Sequence, residues 1–122
     1  MYIYKASVVK VVDGDTVDCE IDLGFHTKMV KRVRLAEIDT PELNSKDPLV
    51  REKAVAAKDY VTGWLGSVEF CIKTELDRGD KYGRVLGWIY PLSTGTSDLS
   101  QTLNHVLVEA GHAVWYGRKD SE

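Results

Sequence analysis

The stretch Arg34-Leu35-Ala36-Glu37-Ile38-Asp39-Thr40-Pro41-Glu42 groups side chains that could do chemistry together. Arg34 offers a fixed cation with a planar fork of donors suited to phosphate, Asp39 a hard oxygen ligand, and Glu42 a second carboxylate. A phosphate and a metal ion could share one pocket there. Val33, Leu35 and Ile38 are apolar in an otherwise polar run, which predicts a strand, and Pro41, lacking an N–H, must end it. The same pattern fits a strand edge dressed with charges for solubility, and this stretch alone does not separate the two readings.

Two further turns carry charge. Asp13-Gly14-Asp15-Thr16 follows the first apolar run, and Asp80-Lys81-Tyr82-Gly83-Arg84 follows the fourth. Either aspartate beside Gly14 could simply cap a tight turn. A turn explanation, however, needs no arginine at both 34 and 84 and no carboxylate at 42. The order V-D-G-D-T-V, R-L-A-E-I-D-T-P-E, D-K-Y-G-R and a late L-N-H-V-L-V-E-A-G-H-A closely resembles the staphylococcal nuclease family, the thermonucleases, from about Ala6 to Trp115. Three motifs in this order are far more specific than any one of them.

The elements that must hold these residues can be read from periodicity. Residues 4–12 are rich in Val and end at Asp13-Gly14, which predicts a first strand. From Thr16 to Leu23 the alternation is clean, with Val17, Cys19, Ile21 and Leu23 on one face, and a third strand is expected over 27–38 with Arg34 opposite Val33 and Leu35. Asp47 and Pro48 read as the cap and first residue of a helix that carries Val50, Ala54, Ala57, Val61 and Trp64 or Leu65, with Gly66 as its stop. Residues 68–74 and 85–90 alternate as the fourth and fifth strands, with Pro91 ending the fifth, while 77–84 reads as too polar for strand. Asp98 and Gln101 resemble a capping box for a second helix bearing Leu99, Leu103, Val106, Leu107 and Ala110, closed by Gly111. Five strands with helices after the third and fifth fit an α+β, mainly β fold, and the resemblance implies its topology: a five-stranded Greek-key OB-fold barrel with two to three helices.

Composition narrows the classes. With 122 residues and 43% hydrophobic content the chain is expected to form a single domain over 1–122. A net charge of −3 disfavours a strong, purely electrostatic nucleic-acid binder, although one divalent cation would offset two of the three excess charges. Lys28, Lys31, Arg32 and Arg34 cluster, and for Lys28 and Lys31 a solvated sheet face is the better reading. Cys19 and Cys71 read as free thiols in strands. His26, His105 and His112 lack zinc-site spacing and read as structural, and Trp88 and Trp115 are core candidates before they are stacking platforms. No apolar run is long enough to span a bilayer, so a cytoplasmic monomer is expected from the sequence as given, with secretion open if a leader has been removed.

The resemblance implies a calcium-dependent nuclease acting on DNA and RNA with little sequence specificity and leaving 3′-phosphate ends. It assigns Asp15 and Asp39 as carboxylate ligands of Ca2+ with the carbonyl of Thr40, Glu42 as general base, and Arg34 and Arg84 as the guanidinium groups on the scissile phosphate. Lys81 and Tyr82 match positions near a neighbouring phosphate. At the end of the chain only Trp115 and Tyr116 are available to stack on a base, a departure from the two-tyrosine arrangement of the best-known member. The alternatives are a catalytically inactive OB-fold that binds single strands, or a structural domain with a vestigial site.

Overall fold

The structure, a computed structural model, describes residues 2–79 and 85–116, with the backbone only over 76–79. Five strands close a barrel: β1 (Ile3–Asp13), β2 (Thr16–Asp22), β3 (Lys28–Leu35), β5 (Phe70–Gly79) and β6 (Val85–Pro91), in the order β1-β2-β3-β6-β5. All neighbours are antiparallel except β3 and β6, which pair in parallel over Val33–Leu35 and Val85–Gly87. Two strands of two residues each, β4 (Ile38–Asp39) and β7 (Val114–Trp115), form a separate antiparallel ribbon. The helices are α1 (Pro48–Ser67) and α2 (Leu103–Glu109), with single 3-10 turns at Leu92–Thr94 and Leu99–Gln101. The expected α+β OB-fold barrel is the fold observed.

Alternation explains the barrel. Val17, Cys19, Ile21, Val33, Leu35, Phe70, Ile72 and Ile89 turn inward and are buried, and α1 adds Ala54, Ala57, Val61 and Leu65 at helical spacing. Each Val, Leu, Ile or Phe among them contributes about 1.5–3 kcal/mol when fully removed from water. Both cysteines are free and buried. Asp47 caps α1, its carboxylate accepting from the Leu49 amide at 2.9 Å, with Pro48 in the first turn.

Several boundaries differ from the sequence expectation. The third strand stops at Leu35, because Glu37 turns the backbone left-handed at φ 64°, and the chain restarts as β4. Helix α1 passes Gly66 to Ser67, whose hydroxyl donates to the Trp64 carbonyl at 2.9 Å. Strand β5 continues through Asp77 to Gly79, where Gly79 pairs with Val85; backbone pairing, not polarity, decides there. Asp98 caps only the 3-10 turn, and Thr102 is the N-cap of α2, its hydroxyl accepting from the His105 amide at 3.0 Å. Leu23 and Val68 fall outside their strands and are partly exposed.

One side chain knits these pieces. Asn104, on α2 and fully buried, donates through Nδ2 to the carbonyls of Ala36 at 3.0 Å and Gly87 at 3.2 Å, and accepts at Oδ1 from the Ile89 amide at 3.1 Å. It meets the backbone just where the β3–β6 ladder ends; the Gly87 carbonyl also accepts from the Ala36 amide at 2.9 Å, so loss of Asn104 strands the Ala36 carbonyl and the Ile89 amide. Asn104→Ala should therefore lower unfolding free energy by about 2 kcal/mol or more, since each unsatisfied buried group costs about 1–3 kcal/mol. Urea denaturation checks this, and a loss under about 1 kcal/mol would contradict the assigned role.

Candidate active site at the end of the barrel

Arg34 ends β3 on the face opposite Val33 and Leu35, both fully buried. Its guanidinium folds back over the turn into β4: Nη1 donates to the carbonyls of Leu35 at 2.9 Å and Ile38 at 2.8 Å. Those bonds turn Nη2 toward two acids, Asp39 Oδ1 at 3.4 Å and Asp15 Oδ2 at 3.6 Å. The arginine side chain is only 14% exposed, so this cation sits out of bulk water between two anions.

Asp15 reaches the same point from the β1–β2 turn. Its carboxylate accepts from the Thr16 hydroxyl at 3.0 Å and from the Thr40 amide at 3.1 Å, and its backbone carbonyl accepts from the Leu35 amide at 2.9 Å. Asp13 takes the turn role, accepting at Oδ1 from the Asp15 amide at 3.1 Å. Gly14 between them is dictated by space: a Cβ there would lie 2.9 Å from both Ala57 Cβ and Thr40 Oγ1. Helix α1 is thereby pressed against the turn that carries Asp15.

The electrostatics follow from this crowding. Burial raises the Asp15 carboxyl, but a hydrogen bond with Asp13, the Arg34 charge, the Thr40 amide and the Thr16 hydroxyl together hold it below the usual carboxylate range. Burial pushes Asp39 up, and repulsion from Asp15 adds to this against Arg34, with Glu42 contributing further repulsion. Burial, with hydrogen bonding and charge from Asp15, raises Asp13 to about 6.

The donors gathered here are oxygens, the ligand type that a hard cation takes. Asp15 Oδ2 and Asp39 Oδ1 converge on one cationic atom, and Thr40 Oγ1 is buried with no hydrogen-bond partner among the described residues. No group of three or more His, Cys, Asp or Glu among the described residues is placed to hold a metal. Two carboxylates must then be supplemented by backbone carbonyl and water, a mixture that calcium accepts.

The structure thus brings Asp15, Arg34, Asp39 and Thr40 together. Glu42 lies exposed just beyond Pro41. Arg84, Lys81 and Tyr82 lie outside the described residues. Trp115 is half-buried on β7, packed against the core, and Tyr116 follows it with an exposed side chain, its amide donating to the Glu37 carbonyl at 2.7 Å. His105 and His112 lie near α2, with rings against Trp115 and Tyr60 respectively, and His26 sits between β2 and β3. Thr16 and Asn104 are site supports that the sequence reading missed; Thr16 stood inside the quoted D-G-D-T motif, and Asn104 was the polar residue in an apolar helix pattern. Of the basic cluster, Lys28 pairs with Glu20 at 3.7 Å and Arg32 with Asp18 at 2.8 Å, so that face is largely self-neutralised.

A closed five-stranded barrel with an arginine held between two carboxylates at one end is an OB-fold domain of the nuclease-like class. Residues 32–122 match the family described as staphylococcal nuclease homologue, and the chain belongs to that family. Asp15 precedes the matched region and joins the site through the β2–β3 pairing of Thr16 with Arg34. The chain is 29% identical over 131 residues to an uncharacterized protein of Methanocaldococcus jannaschii, covering 93% of this chain and 59% of that protein. It is 30% identical over 83 residues to thermonuclease of Staphylococcus intermedius, covering 68% and 46%, and 29% identical over 117 residues to micrococcal nuclease of Shigella flexneri, covering 93% and 59%. It spans about half to three-fifths of the length of these relatives. No helix among the described residues is long and apolar enough to cross a membrane.

The raised Asp13 carboxyl has a measurable sign. Its folded value, about 6, lies above its ordinary 3.8, so its contribution to stability is complete below pH 3.8 and is lost as pH rises through 6. Asp13→Asn keeps an oxygen for the Asp15 amide and removes the charge. In chelator, the variant should unfold at higher urea than wild type above pH 6 and show no such gain near pH 4; a gain that is the same at both pH values would contradict the assignment.

Proposed function

We propose that the chain is a calcium-dependent phosphodiesterase that hydrolyses DNA and RNA with little sequence specificity and leaves 3′-phosphate ends. The observation that carries this reading is the Arg34 guanidinium, pinned through Nη1 by two backbone carbonyls and facing Asp15 and Asp39 through Nη2. A donor fork fixed in this way is preorganised for an anion, and a carboxylate pair beside it is preorganised for a cation. A phosphodiester brings the first charge. The names of the thermonuclease and micrococcal nuclease relatives support the same class.

Within this reading, Asp15, Asp39 and the Thr40 carbonyl would hold calcium, which when bound would supply positive charge against the carboxylates and the substrate phosphate. Arg34 donates to a non-bridging phosphate oxygen and stabilises the charge that builds there, and Arg84 is assigned the same task. Glu42 takes the proton of the attacking water. The new bond forms from water oxygen to phosphorus and the bond to the 5′ oxygen breaks, the leaving oxygen taking its electron pair and a proton from solvent to become a hydroxyl, so phosphate remains on the 3′ side. Lys81, Tyr82, Trp115 and Tyr116 would contact the flanking substrate. Contacts confined to phosphate and metal carry no base information, which accounts for weak sequence preference.

A labelled single-stranded DNA incubated with the protein tests this reading. Cleavage should require calcium, stop with chelator, and proceed poorly or not at all with magnesium, whose tight octahedral hydration suits so open a ligand set badly. Equal rates with both ions would refute the metal assignment, and no cleavage with either would refute the enzyme. Glu42→Gln should lower turnover by about two to four orders of magnitude with oligonucleotide binding retained.

A further inference from the structure

We infer that Trp115 is a positioning residue for Asp39, so that the two-residue strand β7 sets how well the carboxylate pair holds a divalent cation. The identity of that cation rests on the proposed function; the mechanical link does not.

Asp15 is fixed by its own contacts: its carboxylate receives the Thr16 hydroxyl and the Thr40 amide and lies at the closed β1–β2 turn. Asp39 is held differently. Its side chain is 55% exposed and meets the Arg34 Nη2 at 3.4 Å, so the position of its carboxylate is decided mainly by its backbone. That backbone lies outside the barrel, in β4, between left-handed Glu37 and Pro41. Its ladder partner is β7, where Ile38 faces Trp115 and Asp39 faces Val114, and the Tyr116 amide donates to the Glu37 carbonyl at 2.7 Å.

A ribbon of two residues per strand cannot hold its own register; an isolated hairpin of any length is at best marginal in water. Something must anchor β7, and Trp115 has the contacts to do so. Its indole packs against both buried clusters and meets the His105 ring edge-on, centroids 5.6 Å apart at 62°. His105 follows Asn104, whose amide fixes Ala36 and β6. The anchored path therefore runs from α2 through Trp115 to β7, across the ladder to β4, and ends on Asp39. The carbonyl of Ile38, which Arg34 uses, sits on the same path.

Supports of metal ligands typically cost about 10–100-fold in affinity when lost. Calorimetric titration of the full chain with calcium chloride, without nucleic acid, reads this directly in wild type, Trp115→Ala, Trp115→Phe and Leu65→Ala, the last a core cavity on α1, which does not pair with the ribbon. Trp115→Ala should weaken calcium binding about ten-fold, Trp115→Phe should recover most of it by restoring a ring against His105, and Leu65→Ala should bind as wild type although it is less stable. If Trp115→Ala does not fold, His105→Ala, which removes only the ring edge, should still weaken calcium about three-fold, below the full loss of the support. Wild-type calcium affinity in the Trp115 and His105 variants, or a loss of equal size in Leu65→Ala, overturns the inference. A raised Michaelis constant for oligonucleotide with unchanged calcium affinity overturns it too and makes Trp115 a base platform. Should wild type bind no calcium, the proposed function fails instead, and amide hydrogen exchange then tests the link: residues 38–40 should exchange about ten-fold faster in Trp115→Ala than in Leu65→Ala, and equal rates would sink it.

Discussion

A guanidinium held between two carboxylates and two backbone carbonyls is the interaction around which this barrel end is built. The partners of Arg34 come from three pieces of local structure: Asp15 from the β1–β2 turn, the Leu35 carbonyl from the end of β3, the Ile38 carbonyl and Asp39 from β4. Arg34 and Asp15 lie largely out of water, so removing either charge leaves the other uncompensated, which for a buried pair costs about 3–5 kcal/mol. Such a cluster is a poor way to gain stability and a good way to fix several oxygens and one donor fork in space.

The backbone complies with that demand at some cost. Glu37 is left-handed at φ 64°, where a side chain other than glycine costs about 1–2 kcal/mol, and this kink turns the Ile38 carbonyl toward Arg34. Asn104 offsets the kink by bonding Ala36 immediately before it, and β7 pairs with the residues immediately after. Strain at the turn and bonding on both sides of it belong to one arrangement: the strand must break so that one residue can point a cation, and another, five positions on, a carboxylate, at the same place.

Much of the barrel was legible because its strands bury one face: Val17, Cys19 and Ile21 alternate against Asp18, Glu20 and Asp22, and only one register buries them. The convergence of Asp15 with Arg34 and Asp39 was what the family resemblance implied, and the Thr16–Arg34 register shows how two turns 25 residues apart in their Asp15 and Thr40 ends come together. Other features left no periodic trace. Strands of two residues, such as β4 and β7, have no period to detect. The polar end of β5 is held by ladder bonds, which side-chain pattern does not report. Two good caps, Asp98 and Thr102, lie four residues apart, and only the intervening 3-10 turn assigns α2 to the second. Asn104 looks like an ordinary helix residue until its three backbone partners, 15 to 68 positions away in sequence, are seen.

On the proposed function, one site serves a cation and a phosphodiester at once, with Arg34 released from the acids to the phosphate as the cation takes them over. The two ligands must then help each other, and by linkage the help is reciprocal. Calorimetric calcium titration, performed alone and in the presence of a cleavage-resistant phosphorothioate oligonucleotide, measures that coupling directly. The account predicts one calcium per chain whose affinity rises about ten-fold or more with the oligonucleotide present. Calcium binding that is indifferent to the oligonucleotide would contradict it.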